Sequence, residues 1–336
     1  MRKIVSIVVL LGASAAAWTA AWFWVAGKAD QAIDGWIADE KGRDRLWACA
    51  NRSSEGFPFE LRISCAQPIF SSQAGPLASA SAVQLVASTG ILAPRDIAFT
   101  IDGPLNVLGR DGTATASWSS LEGSFRVGGE SPDVTVRATS LRVATASGAV
   151  STWSGATVGA LGVRMHRSPD RAPGVDAQAL MLNIEGARAG PVDAFFGNEA
   201  LLRASASAII LNASVANLGN FAERVERWAA SGGRVQISTL TVEKGGSRLE
   251  ASGDLTLDDH RRPAGQLSVR LAGIQPILAR LNLPAAPLAI EGLLRGAGGR
   301  GGGSNLIENR QLPLELRGGR IYIGPLRLPV VLPPLI

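Results

Sequence analysis

Residues 234–273 read RVQISTLTVEKGGSRLEASGDLTLDDHRRPAGQLSVRLAG. Three runs of alternating character are broken first by Gly245-Gly246 and then by Asp258-Asp259-His260-Arg261-Arg262-Pro263. Apolar side chains at every second position suit a strand with one covered face, and clusters of Gly, Asp and Pro suit the turns between strands. The stretch therefore predicts three consecutive strands, with Leu255 and Leu257 facing Leu267, Val269 and Leu271 as cross-strand partners.

The same punctuation recurs toward the N-terminus. In GFPFELRISCAQPIF (56–70), Phe57, Phe59, Leu61, Ile63 and Cys65 alternate with Pro58, Glu60, Arg62, Ser64 and Ala66, which predicts a half-buried strand with Pro58 at its start. Ile97, Phe99 and Ile101 alternate before the turn Asp102-Gly103-Pro104, and Leu180, Leu182 and Ile184 alternate before Gly186. Closely spaced strands without helix-length segments between them favour an antiparallel meander. Toward the C-terminus, 274–281 (IQPILARL) reads as a short helix or turn, and 298–304 (GGRGGGS) as a loop lacking the Gly-Lys-Ser/Thr ending of a phosphate cradle. The final segment reads as a hairpin about Gly318-Gly319.

Helical periodicity is confined to a few places. Ile33, Trp36, Ile37 and Trp47 fall near one face of a helix over 29–48, predicted to follow a membrane span and to lay an apolar stripe on the first sheet. A helix lying on the membrane surface is the alternative, and the mixture of acidic and basic residues argues against it. Phe221, Val225 and Trp228 form the stripe of a second helix near 217–231, stopped by Gly232-Gly233. Residues 191–202 (PVDAFFGNEALL) are a short helix or a loop. The fold class predicted is mainly β (α+β), with curved, mostly antiparallel multi-stranded sheets, an N-terminal transmembrane helix and one or two packing helices. The expected division is an anchor at 1–28, a linker helix at 29–48, a β-rich lobe at 49–190 and a second at 191–336.

Residues Ile4 to Val25 contain no charge. As a helix, 22 residues extend about 33 Å, enough to cross a bilayer core. Arg2 and Lys3 precede the run, and Trp18, Trp22 and Trp24 crowd its far end. That asymmetry predicts a single-pass inner-membrane anchor with the bulk of the chain in the periplasm. A cleaved signal peptide is the other reading, with Ala13-Ser14-Ala15 or Ala15-Ala16-Ala17 as the cleavage site. The apolar run continues past Ala17 to Val25, which favours the anchor.

Hydrophobic residues make up 46% of the chain and charged residues only 18%, so a large core is available. The net charge of +5 is spread singly along the sequence, without the concentrated basic stripe and stacking aromatics of a nucleic-acid surface. The bilayer is the partner expected. Cys49 and Cys65 are the two cysteines, and in an exported chain they predict one disulfide; two buried thiols are the alternative. His166 and His260 are the two histidines, too far apart in sequence for a tight metal spacing, and both read as exposed loop residues. Asp258-Asp259 reads as a turn former before an acid–base pair. No nucleophile–base set and no cofactor motif is visible, and the chain is expected not to be an enzyme.

Three segments carry a resemblance: Gly56-Phe57-Pro58-Phe59 between Cys49 and Cys65; Gly253-Asp254-Leu255-Thr256-Leu257-Asp258 followed by Gly265-Gln266-Leu267-Ser268-Val269; and Gly319-Arg320-Ile321-Tyr322-Ile323-Gly324-Pro325-Leu326. In this order behind an N-terminal apolar run, they resemble the bacterial domain of unknown function 2125 over nearly the whole chain. That family brings no established activity. The closing units also resemble AsmA-like envelope proteins, whose anchored curved sheets with an apolar groove are linked to moving or sorting lipids. The resemblance implies an apolar face offered to lipid or to an envelope partner, and the alternating sets Phe57, Phe59, Leu61, Ile63 and Ile97, Phe99, Ile101 are the candidates to line it. A structural or scaffolding protein docking another envelope protein is the alternative.

Overall fold

The computed structural model describes residues 2–72, 77–110, 112–128, 133–168, 176–213, 221–273, 311–323 and 326–335. It is mostly antiparallel β-sheet, with an N-terminal apolar helix and a few short helical segments. The chain separates into two compact units, 1–128 with 144–151, and 129–143 with 152–336.

The first unit begins with one unbroken helix, α1 (Arg2–Lys41). The strands that follow are β1 (Arg45–Ala48), β2 (Asn51–Glu55), β3 (Glu60–Ala66), β4 (Ile69–Ser72), β5 (Leu77–Ser81), β6 (Gln84–Gly90), β7 (Ala93–Asp102), β8 (Leu105–Gly109), β9 (Gly112–Ser117) and β10 (Ser120–Arg126). Pairing follows two antiparallel orders, β2-β3-β6-β7-β10 and β1-β4-β5-β8-β9. The two orders are halves of the same ribbons. Only Cys49-Ala50, Gln67-Pro68, Ala82-Val83, Gly103-Pro104 and Trp118-Ser119 separate β1 from β2, β3 from β4, β5 from β6, β7 from β8 and β9 from β10. Each long strand thus bends at a shared crease, and proline at two of the five bends fits this, since it cannot donate to a ladder.

The crease is hydrogen-bonded. Gln67 N–H donates to Val83 O (2.8 Å), Val83 N–H to Asp102 O (3.0 Å) and Trp118 Nε1–H to Ile101 O (2.7 Å). The Trp118 indole lies where a side chain at Gly103 would start, with its nearest atom 3.2 Å from that position. The sulfurs of Cys49 and Cys65 lie at disulfide-bonding distance, with Cα atoms 5.5 Å apart. The bond ties the break between β1 and β2 to the end of β3.

The second unit is a sequential meander. It comprises β11 (Val134–Ala146, whose last residues belong to the first unit), β12 (Thr157–Arg167), β13 (Ala177–Ala187), β14 (Leu202–Leu211), β15 (Arg234–Lys244), β16 (Ser247–Leu257), β17 (Pro263–Ala272), β18 (Leu312–Arg317), β19 (Arg320–Ile323) and β20 (Leu326–Val331). Each strand pairs antiparallel with the next. Two short helices, α2 (Gly190–Phe196) and α3 (Phe221–Ala230), interrupt the β13–β14 and β14–β15 connections. Trp228 of α3 donates its Nε1–H to Leu211 O at 2.8 Å, fixing the helix to the end of β14.

Several expectations change. The linker helix does not reach residue 48: it ends at Lys41, and Trp47 lies in β1. The aromatic stripe survives the chain reversal, since the Trp36 and Trp47 rings lie 5.3 Å apart and Trp47 meets Phe70 at 4.8 Å. Phe57 and Phe59 are not strand residues. Gly56 adopts φ 106°, and a side chain there would meet Glu60 O at 2.6 Å, so the chain turns and the ladder starts at Glu60. The expected boundary at 190/191 falls inside a paired hairpin, because β13 pairs with β14 across α2, and the units divide at 128/129, 143/144 and 151/152. Leu255 faces Gly265 and Leu257 faces Pro263, while Val269 faces Ala251. The register differs because the hairpin closes on Asp258–Arg262, with Arg261 at φ 60°. His166 lies in β12 opposite Ala179 rather than in a loop. Residues 274–281 and 298–304 lie outside the described residues, as do 217–220 of the predicted second helix.

Candidate apolar binding face

Antiparallel partners project to the same side of a sheet, so registers in phase build continuous rows. In the second unit one row runs Val136–Val163–Leu182–Ala206–Leu240–Ala251–Val269–Leu312, from β11 to β18. A neighbouring row runs Ala138–Leu161–Ile184–Ala204–Val242–Leu249–Leu271. Every member of both rows is apolar. The opposite face is polar: Arg137, Gly162, Asn183, Ser205, Thr241, Glu250 and Arg270 form one of its rows. Glu250 there bonds Arg248 at 2.6 Å and lies 3.5 Å from Arg270.

The covering of the apolar face is uneven. At one end Ala251, Val269, Leu271, Leu312 and Ile323 form a buried cluster. Across β12 to β14, Leu161, Val163, Leu182, Ile184, Ala204 and Ala206 are only half-buried. A face under a second packed layer loses nearly all its exposure, so this part of the sheet keeps accessible apolar surface.

The first unit continues the theme on a smaller scale. Leu61, Ile63 and Cys65 share a face with Ala87, Ile97, Phe99 and Ile101 through the β3–β6 and β6–β7 ladders. The structure therefore brings Leu61, Ile63, Ile97, Phe99 and Ile101 together and places Phe57 and Phe59 apart in the turn. Leu61 is fully covered by α1, in a cluster with Trp22 and Ala26 against which Ile63 packs. Ile97, Phe99 and Ile101 are half-buried, and the Phe99 ring meets Phe125 at 6.1 Å. The reverse face holds a concavity of about 520 Å³ whose lining is mixed: Glu55, Arg62, Ser64, Gln84, Ser88 and Thr100 with Val86, Ala98 and Phe99. Within it Ser64 Oγ pairs with Ser53 Oγ at 2.7 Å, and Arg62 with Glu60 at 3.1 Å.

Several of the remaining singled-out residues have structural partners. The Asp258 carboxylate accepts the N–H groups of His260 and Arg262 at 2.9 Å each and pairs with the Arg262 guanidinium at 2.9 Å. Burial pushes this carboxyl up, and those donors outweigh it, so its pKa lies below the ordinary value. His166 Nδ1 lies 2.8 Å from Arg167 O. Among the described residues no three His, Cys, Asp or Glu side chains gather as metal ligands. Trp18 and Trp22 donate to Pro58 O (2.9 Å) and Glu60 O (3.0 Å), while Trp24 is exposed; the side chains of Arg2 and Lys3 lie outside the described residues. The helix bearing them is long and apolar enough to cross a membrane.

The larger face, on β11–β18, was not singled out from sequence. The alternation of Leu180, Leu182 and Ile184 was visible, but the phase of one strand against the next is a property of register.

Residues 22–330 match the family described as "Uncharacterized protein conserved in bacteria (DUF2125)". No curated protein and no solved structure matches the chain.

Proposed function

The chain belongs to the DUF2125 family of uncharacterized bacterial proteins, and from that premise we propose that it is a membrane-anchored, non-catalytic envelope protein whose second-unit sheet carries lipid acyl chains on its apolar face. The observation that carries the reading is the in-phase apolar row from Val136 to Leu312, half-buried over β12–β14. The long apolar helix α1 supports a position at a bilayer, and the Cys49–Cys65 pair supports the oxidising, periplasmic side.

The energetics suit transfer. Moving a methylene from water to an apolar surface gains about 0.8 kcal/mol. Moving it from a bilayer to the sheet exchanges one apolar environment for another, so the net change is small. Such a face passes chains along its length rather than trapping them.

The test is photocrosslinking in cells with the full chain. A benzophenone amino acid in place of Leu182 is expected to capture lipid, and one in place of the adjacent Asn183, on the polar face, is not. Equal capture at both positions, or none at Leu182, would sink the lipid reading. A protein adduct confined to Leu182 would assign the face to docking an envelope partner.

A further inference from the structure

We infer that the turn Phe57-Pro58-Phe59 and the β6–β7 turn at Ile91-Leu92 sit in the headgroup layer of the bilayer and complete the outer end of the membrane span. The inference rests on α1 being a membrane anchor. Residues Ile4–Ala17 have no covering side chain wherever their burial is described, and cover begins at Trp18. Fourteen helical residues extend only about 21 Å, short of the roughly 30 Å hydrocarbon core. The bilayer therefore has to reach the level of Trp18 to Val25 to be spanned. At that level the helix is already bound to the first sheet.

Trp18 Nε1–H donates to Pro58 O at 2.9 Å, and Trp22 Nε1–H to Glu60 O at 3.0 Å. Trp22 is buried against Leu61, and Ile91 packs on the same cluster. The turns are thus carried to the depth of the span's outer end. What they present there is apolar: Phe59 is 71% exposed, Leu92 88%, and Phe57 50%. On the helix beside them Phe23 and Trp24 are 63% and 65% exposed, and the Phe23 ring stacks on Phe57 at 6.5 Å. Aromatic and aliphatic side chains ringing a helix where it leaves the hydrocarbon are what an interfacial seat requires. The occupant is the bilayer itself, because the surface is continuous with the helix that crosses it. A consequence is that the helix and the sheet cannot swivel freely, and the first unit is held against the membrane.

Four single-cysteine additions to the full chain test this: Val9→Cys, Phe59→Cys, Leu92→Cys and, as control, Leu108→Cys. Leu108 is exposed and apolar but lies in β8 beyond the crease, opposite Ser79. Each is labelled with an environment-sensitive fluorophore and reconstituted into phosphatidylethanolamine/phosphatidylglycerol vesicles with doxyl-labelled lipid. Blue-shifted emission quenched by doxyl lipid is expected at positions 9, 59 and 92, and unshifted, unquenched emission at 108. Quenching at 9 with aqueous emission at 59 and 92 overturns the inference and leaves the anchor standing. Blue-shifted but unquenched probes at 59 and 92 overturn it in favour of a covering protein, and quenching at 108 as strong as at 59 removes its specificity. An aqueous probe at 9 overturns the anchor and the inference together.

Discussion

Lys244 is the residue whose removal is most informative about how the second unit is held. Its side chain has no solvent exposure, and its Nζ donates to Asp193 Oδ1 at 2.6 Å and to Ala200 O. Asp193 lies in the first turn of α2, Ala200 in the link to β14, and Lys244 at the end of β15, so one ammonium ties the α2 excursion to the β15–β16 hairpin. The two ends of the pair are not equivalent. Asp193 keeps 17% side-chain exposure and has a second cation, Arg188, at 3.6 Å. Lys244 has no water to fall back on. Asp193→Ala therefore strands a buried charge and is expected to cost about 3–5 kcal/mol. Lys244→Met leaves a partnered, partly hydrated carboxylate and one carbonyl without its donor, at about 1–3 kcal/mol. The double variant should be less destabilised than the sum of the singles, by about 0.5–3 kcal/mol. The assay is urea unfolding of the full chain in mild detergent, with hydrogen exchange at the 244–247 hairpin reporting that region, since two units need not unfold together. If Asp193→Ala costs no more than Lys244→Met, or if the two effects simply add, the buried-charge argument is wrong.

Three further perturbations address other elements. Replacing Cys49 and Cys65 by serine frees a link of sequence separation 16, expected to cost about 3 kcal/mol in denaturant titration and to make the wild-type midpoint sensitive to reductant. Gly233→Ala would place a Cβ 2.3 Å from the Trp228 indole, so α3 must release Leu211 O; faster amide exchange across 221–230 is the readout, and unchanged exchange would refute the contact. Because Asp258 is held below the ordinary carboxylate pKa, its contribution to stability is complete above that ordinary value. It is lost as pH falls through the folded one. Protection of the His260 and Arg262 amides, taken as the ratio of the intrinsic exchange rate at each pH to the observed one, should fall on acidification in wild type and stay constant in Asp258→Asn.

Local rules carried the sequence reading a long way. Period-two alternation, Gly and Asp turns and the uncharged N-terminal run depend on a residue and its near neighbours, and they gave the β class, the helix near Trp228 and the hairpin about Gly318-Gly319. The same rules misplaced Phe57 and Phe59, because alternation alone does not register the turn that Gly56 and the Glu60 carbonyl enforce. They also ran the linker helix through Trp47, because the Trp36–Trp47 contact that looks like helical spacing is made between a helix and a strand.

The amino-acid order by itself determined which segments become strands, where most turns fall and that the first helix is apolar enough for a bilayer. Tertiary structure decided the phase of each strand against its neighbour, and with it the union of Leu182, Ala206 and Leu240 into one apolar row. It also decided that Trp18 and Trp22 meet the turn at Pro58. The physical reason is that a side chain's face is fixed by its own backbone, whereas its company is fixed by hydrogen-bond register between segments distant in sequence.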